Sequence, residues 1–191
     1  SSDEALTRSQ TNLDKICKRL VEKGRLTEVE SDQIKARIHR STAIEALAPS
    51  DLVIEAIVED LTVKTALFQR IEPIVGEDTV LATNTSSLSV TALAKGCQRP
   101  EQVVGLHFFN PVPVLPLVEV IWSKYSDQDM VNRGMQFAGQ IGKMPVRCKS
   151  APGFLVNRAL LPYIFKAIEA VARGENADHI DEALVDFGMP M

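Results

Sequence analysis

At 191 residues, 45% hydrophobic and 24% charged, the chain has room for one full domain and part of a second, with the composition of an ordinary globular protein. A net charge of −4 argues against a general nucleic-acid surface, and no apolar run reaches the roughly 18 residues of a membrane span. Cys17, Cys97 and Cys148 are odd in number and far apart, so they suggest neither a disulfide framework nor a zinc site and point to a reducing compartment.

The chain opens acidic and polar, without the pattern of a secretory signal. Ser1 and Glu4 fit a capping box, and Leu6, Leu13, Ile16, Cys17, Leu20 and Val21 mark one apolar helix face. Gly24 ends this helix, and Thr27 with Glu30 opens a second, shorter one. Then the pattern alternates. Residues 52–57 read as a buried strand, 61–75 as a helix, 79–83 as a strand, 91–94 as a helical turn and 103–109 as a strand. Short apolar strands between helices predict a parallel α/β sheet.

Two apolar runs, 105–109 and 117–121, flank a loop carrying Pro111, Pro113 and Pro116 and read as a strand pair. A helix is predicted near 128–141 and a strand at 145–148. From Pro152 onward the signal is helical only. Phe154, Leu155, Leu160, Leu161, Ile164, Phe165, Ile168 and Val171 cover most of the helical circle, which predicts burial on several sides, in a core or a subunit contact. A last helix lies near 180–187. A domain boundary is expected near 149–151, giving an α/β domain over 1–149 and a helical one over 150–191.

His107 and Glu119 stand at equal distance on either side of Pro113. If the two runs pair antiparallel about that centre, these side chains are cross-strand neighbours on one face. A carboxylate on one imidazole nitrogen fixes the tautomer and prepares the other nitrogen as a general base. A buried His and Glu that merely satisfy each other is the competing reading.

The segment from Gly105 to Ile121 (GLHFFNPVPVLPLVEVI) resembles the HFFNP…VEVI signature of the 3-hydroxyacyl-CoA dehydrogenases. Three more stretches agree in order and spacing: Ala56 to Asp60 with Lys64, Thr83 to Leu88, and Pro152 to Arg158. The closing stretch from Asp181 to Met191 is similar to that family's second domain. The resemblance implies NAD-dependent interconversion of (S)-3-hydroxyacyl-CoA and 3-ketoacyl-CoA in fatty-acid β-oxidation or related acyl-CoA metabolism. It implies a Rossmann-type doubly wound sheet followed by a helical dimerisation domain, an acyl-CoA substrate and a homodimer, while charge, hydropathy and cysteine spacing lead to the expectation of no nucleic-acid, membrane or metal partner. The bacterial cytoplasm is the expected location, with the mitochondrial matrix as the alternative.

By the same resemblance His107 is the base and Glu119 orients it. Ser86 is the active-site serine, on the reacting oxygen or the nicotinamide side, against the plain reading of a helix N-cap. Asn157 reaches the substrate oxygen, although a lone helical Asn is otherwise surface or interhelix glue. Glu59 and Lys64 match positions at the NAD ribose and nicotinamide edge; in isolation they read as a solvated pair at a helix start. Asn110 matches another NAD neighbour, or else a turn residue before proline. Lys23, within the basic cluster Lys15, Lys18, Arg19, Lys23 and Arg25, matches the coenzyme A phosphate contact, while Ile16 departs from the family's polar contact nearby.

A dinucleotide fold normally begins with a strand, a GxGxxG turn and a helix, and the ten glycines here never fall into that spacing. The opening residues match the stretch after the family's second strand. An N-terminally truncated Rossmann domain and a truncated C-terminal domain are therefore expected, with poor NADH binding by these residues alone. The rivals are a non-catalytic, crystallin-like or assembly relative of the same fold, and a two-domain dehydrogenase acting on a non-CoA hydroxy acid.

Overall fold

The computed structural model describes residues 2–189. Two compact units divide the chain, residues 1–49 and 50–191. In the first, α1 (Asp3–Glu22) packs on α2 (Glu28–Ala36). Ser1, the expected cap of α1, lies outside the described residues; Ser2 is the cap, its Oγ accepting from Ala5 N at 3.2 Å. The Thr27 capping box is formed in full: Glu30 N donates to Thr27 Oγ1 at 3.2 Å and Thr27 N to Glu30 Oε2 at 2.8 Å. Between the helices Gly24 turns the chain at φ +64°, a conformation glycine adopts without a Cβ clash. Of the predicted apolar face, Cys17 is buried but Ile16 is exposed.

The second unit is built on five strands, β1 (Leu52–Glu55), β2 (Val80–Thr83), β3 (Val103–Phe108), β4 (Leu117–Trp122) and β5 (Met144–Lys149), paired in that order. α3 (Leu61–Ile71) and α4 (Val90–Lys95) connect the first three strands, so these run parallel, as a crossover requires. β3 and β4 are joined by the proline loop alone and run antiparallel. α5 (Gln128–Gln140) leads to β5, parallel to β4.

β1 stops at Glu55, two residues short of expectation, for a physical reason. The Ile57 N–H donates to the Glu55 carboxylate and the Ile57 carbonyl accepts from Lys64, so side chains take the backbone groups a ladder would use.

Alternation along the strands gives the sheet two faces. On one, Val80, Ala82, Val104, Leu106, Val118 and Val120 form the core with Met130, Val131 and Ala138 of α5. On the other, Gly105 lets its neighbours close over bare backbone: a Cβ there would lie 2.8 Å from Ile121 Cδ1 and 3.1 Å from Val90 Cγ2 of α4.

α6 (Val156–Ala172) and α7 (Ala177–Phe187) complete the unit. Burial of α6 on several sides does not occur within this chain. None of its residues is buried, and Leu161, Ile164, Phe165 and Ile168 are all exposed, because α7 alone is too small to cover a helix apolar around most of its circumference. Among the described residues no helix is long and apolar enough to cross a membrane.

Candidate active site

The β3–β4 register pairs His107 with Glu119, as the symmetry about Pro113 predicts. His107 Nδ1 lies 2.7 Å from Glu119 Oε2, with Glu119 at 0% exposure and His107 at 6%. A hydrogen bond at Nδ1 leaves Nε2 as the nitrogen with a free lone pair in the neutral ring. The ring is flanked by Phe109, with centroids 4.5 Å apart, and by Phe154 at 5.8 Å.

The second oxygen of Glu119 has its own partners. Oε1 accepts from the N–H groups of Leu155 and Val156, both at 2.8 Å. These open α6, whose N-cap Leu155 has no capping side chain of its own. One buried carboxylate thus orients the imidazole and caps the helix, a favourable place for negative charge. The approach to it is tightly turned, with Gly153 at φ +73° and buried Phe154 at φ +46°.

A second polar cluster forms where β1 and β2 end. Lys64, for which a solvated pair with Glu59 was the alternative to a place at the NAD edge, is only 1% exposed. Its ammonium contacts Glu55 Oε1 at 2.7 Å and Glu59 Oε2 at 3.4 Å. Glu55 supplies the charge that makes its burial tolerable. Glu59 stays partly exposed. Burial pushes its pKa up, but hydrogen bonds from Thr85 Oγ1 and Ser86 N, the charge of Lys64 and the Ser87 N–H outweigh this, so it falls below the usual carboxylate value.

Ser86 is not a helix cap; Ser89 caps α4, accepting from Ala92 N at 3.1 Å. Ser86 N donates to Glu59 Oε1 at 3.0 Å, and its carbonyl accepts from Asn157 Nδ2 at 3.4 Å. Glu59, Lys64, Ser86 and Asn157 are therefore linked, with Asn157 at the start of the helix that Glu119 caps. Asn110 is exposed in the turn after β3, and no hydrogen bond ties it to the others among the described residues. Lys23, in the first unit, is exposed beside α1 along with Lys15, Lys18, Arg19 and Arg25.

Sequence reasoning missed three residues. Glu55 was legible as a carboxylate inside an apolar strand, a position that demands a partner. Thr85, which donates to Glu59, and Asn84, whose Oδ1 accepts from Phe108 N at 3.0 Å, gave no such signal.

Residues 1–151 match the family described as 3-hydroxyacyl-CoA dehydrogenase, NAD binding domain, and residues 153–191 match that of the 3-hydroxyacyl-CoA dehydrogenase C-terminal domain. The chain belongs to the 3-hydroxyacyl-CoA dehydrogenase family. Within it, the fatty acid oxidation complex subunit alpha of Psychrobacter cryohalolentis is 39% identical over 177 residues, 93% of this chain and 25% of that protein. The 3-hydroxybutyryl-CoA dehydrogenase of Clostridioides difficile is 41% identical over 173 residues, 90% of this chain and 62% of that one. The crystal structure of (S)-3-hydroxybutyryl-CoA dehydrogenase from Ralstonia eutropha superposes with a TM-score of 0.92 at 38% identity, over 96% of this chain and 65% of that one. The chain thus spans about a quarter of the length of the first of these relatives. Such neighbours agree with the Rossmann-type α/β sheet expected from the sequence.

Proposed function

We propose that this chain carries the acid/base centre and the nicotinamide side of an NAD-dependent (S)-3-hydroxyacyl-CoA dehydrogenase. The observation that carries the reading is the buried His107–Glu119 pair, with Nδ1 tied at 2.7 Å and, among the described residues, no hydrogen bond to Nε2. His107 Nε2 takes the proton of the 3-hydroxyl while carbon 3 gives up its hydride and becomes the carbonyl. In the reverse direction it returns that proton. Glu119 holds the ring in this tautomer and balances the imidazolium charge. Ser86 and Asn157, joined through the Ser86 carbonyl, stand as the groups that orient the reacting oxygen.

The residues fit the nicotinamide half of NAD. They lie at the carboxyl ends of parallel strands, where open α/β sheets take their ligands. Glu59 is 39% exposed and, among the described residues, its Oε2 meets only Lys64, which leaves room to accept a ribose hydroxyl. Glu59, Lys64, Ser86 and Asn110 would hold this half. When bound, NAD supplies the hydride acceptor. The glycine-spaced turn that meets a pyrophosphate is not found in these 191 residues.

We assign residues 1–149 to the cofactor domain and 150–191 to a helical dimerisation domain, a division supported by family matches ending at 151 and beginning at 153. Acyl-CoA is the substrate, with Lys23 toward its phosphates; the assembly is a homodimer and the location the bacterial cytoplasm. The test is oxidation of NADH with acetoacetyl-CoA by the natural polypeptide that carries this chain. A folded protein with no turnover on short- or long-chain 3-ketoacyl-CoA would overturn the reading.

A further inference from the structure

Glu55 is a fully buried carboxylate to which the chemistry above gives no task. It ends β1 and pairs in register with Thr83, which pairs with Gly105, so it shares the sheet face of His107. Both of its oxygens are engaged. Oε1 accepts from Lys64 Nζ at 2.7 Å and Ile57 N at 2.6 Å, and Oε2 from Thr83 Oγ1 at 2.7 Å. Lys64 divides its remaining protons between the Ile57 carbonyl at 3.3 Å and Glu59 Oε2 at 3.4 Å. Glu59 in turn accepts from the N–H groups of Ser86 and Ser87, at 3.0 and 3.3 Å.

A buried ion pair seldom stabilises a fold more than apolar side chains of the same size would. What this one does is hold a geometry. With Glu55 at 2.7 Å, Lys64 stays at the longer distance from Glu59. Without that anchor the ammonium, enclosed and left with one carboxylate, would draw Glu59 inward and off the two amides. We infer that Glu55 is a positioning residue: by anchoring Lys64 it fixes Glu59, and through Glu59 the turn 85–87 that presents Ser86.

Only the kinetic arm of the test rests on the proposed function, because amide exchange at Ser86 and Ser87 needs no cofactor. Glu55→Gln in the natural polypeptide should speed exchange at both amides roughly tenfold, the scale of a lost hydrogen bond to a charged group. The NADH dissociation constant should rise by roughly the same factor, while the acyl-CoA KM stays within about twofold. Glu55→Asp, which keeps the charge, should restore part of both effects. Thr83→Val removes only the bond to Oε2 and should move both readouts the same way by less, a safeguard should Glu55→Gln fail to fold.

A lower Tm with unchanged exchange at Ser86 and Ser87 would make Glu55 a stability element and overturn the inference. So would failure of all three variants to fold. Faster exchange with NADH affinity intact would also overturn it, since the turn would then not serve the cofactor. If the unmodified protein binds no NADH, the proposed function fails, and the exchange arm alone decides for or against Glu55.

Discussion

At its first turn α6 is held by Glu119, whose Oε1 takes two of its backbone N–H groups while Oε2 takes His107. Along its body the same helix carries Leu161, Ile164, Phe165 and Ile168 to the outside, and α7 adds exposed Val185 and Phe187. The contrast is between a polar centre satisfied within the chain and an apolar surface that is not. Hydrogen bonds are short and directional, so a few residues can close them locally. Apolar burial scales with area, at about 25 cal/mol per Å², and needs a second surface of matching size. The hydrogen bonds of the polar centre close within these residues, whereas the apolar face of α6 stays exposed in this chain.

The sharpest way to break the polar side of the comparison is His107→Gln. It should lower kcat at least about 100-fold, the usual contribution of a general base, with little change in the acyl-CoA KM, since the imidazole acts mainly in the transition state. Unchanged turnover would remove the central claim. Glu119 comes next because it serves both regions. Glu119→Ala orphans two amides and the imidazole, and should cost about 3 kcal/mol of stability, the scale for breaking a buried charged pair. Denaturant titration would show it, together with proteolysis at the start of α6. Glu119→Gln keeps an acceptor for the amides but turns an NH2 toward Nδ1, favouring the wrong tautomer. Its kcat should fall, by less than in His107→Gln.

On the apolar side, Phe165→Glu places a charge on the exposed face of α6 and should dissociate the homodimer proposed above while leaving the His107–Glu119 geometry intact. Sedimentation at micromolar concentration reads this directly, and a monodisperse monomer before mutation would count against the partner. The smallest effect concerns Glu59, half in solvent. Its folded pKa is depressed, so its contribution to stability is present above the ordinary carboxylate value of 4.5 and is lost as pH falls through the lower folded value. Glu59→Gln should lower stability slightly near neutrality and flatten the profile in that acid window, as denaturant titration against pH would show.

What was legible in the sequence follows the same division. The alternation of strands and helices, the Thr27 capping box and the His107–Glu119 register are local or symmetric about one loop, and adjacent residues spell them out. The burial of Lys64 was not legible because it depends on Glu55, nine residues earlier and on another element, a relation no helical period reveals. For α6 an apolar circumference says that the helix wants cover, in a core or a subunit contact, and the exposed Leu161, Ile164, Phe165 and Ile168 show that its own chain does not supply it. The second role of Glu119 was out of reach for the same kind of reason, since its partners are backbone groups 36 and 37 residues away.

Gly105 carries a consequence for the kinds of mutation this site can survive. It stands two residues before His107, and a methyl at that point would lie 2.9 Å from Ile121 Cβ, two residues beyond Glu119 on the facing strand. The spacing of His107 and Glu119 is thus guarded by a missing side chain. In a genetic selection for the activity proposed above, Gly105→Ala should behave as a partial loss of function. Its second-site revertants should concentrate at Ile121 and Val90, where smaller residues return the space, rather than at any residue that touches the substrate.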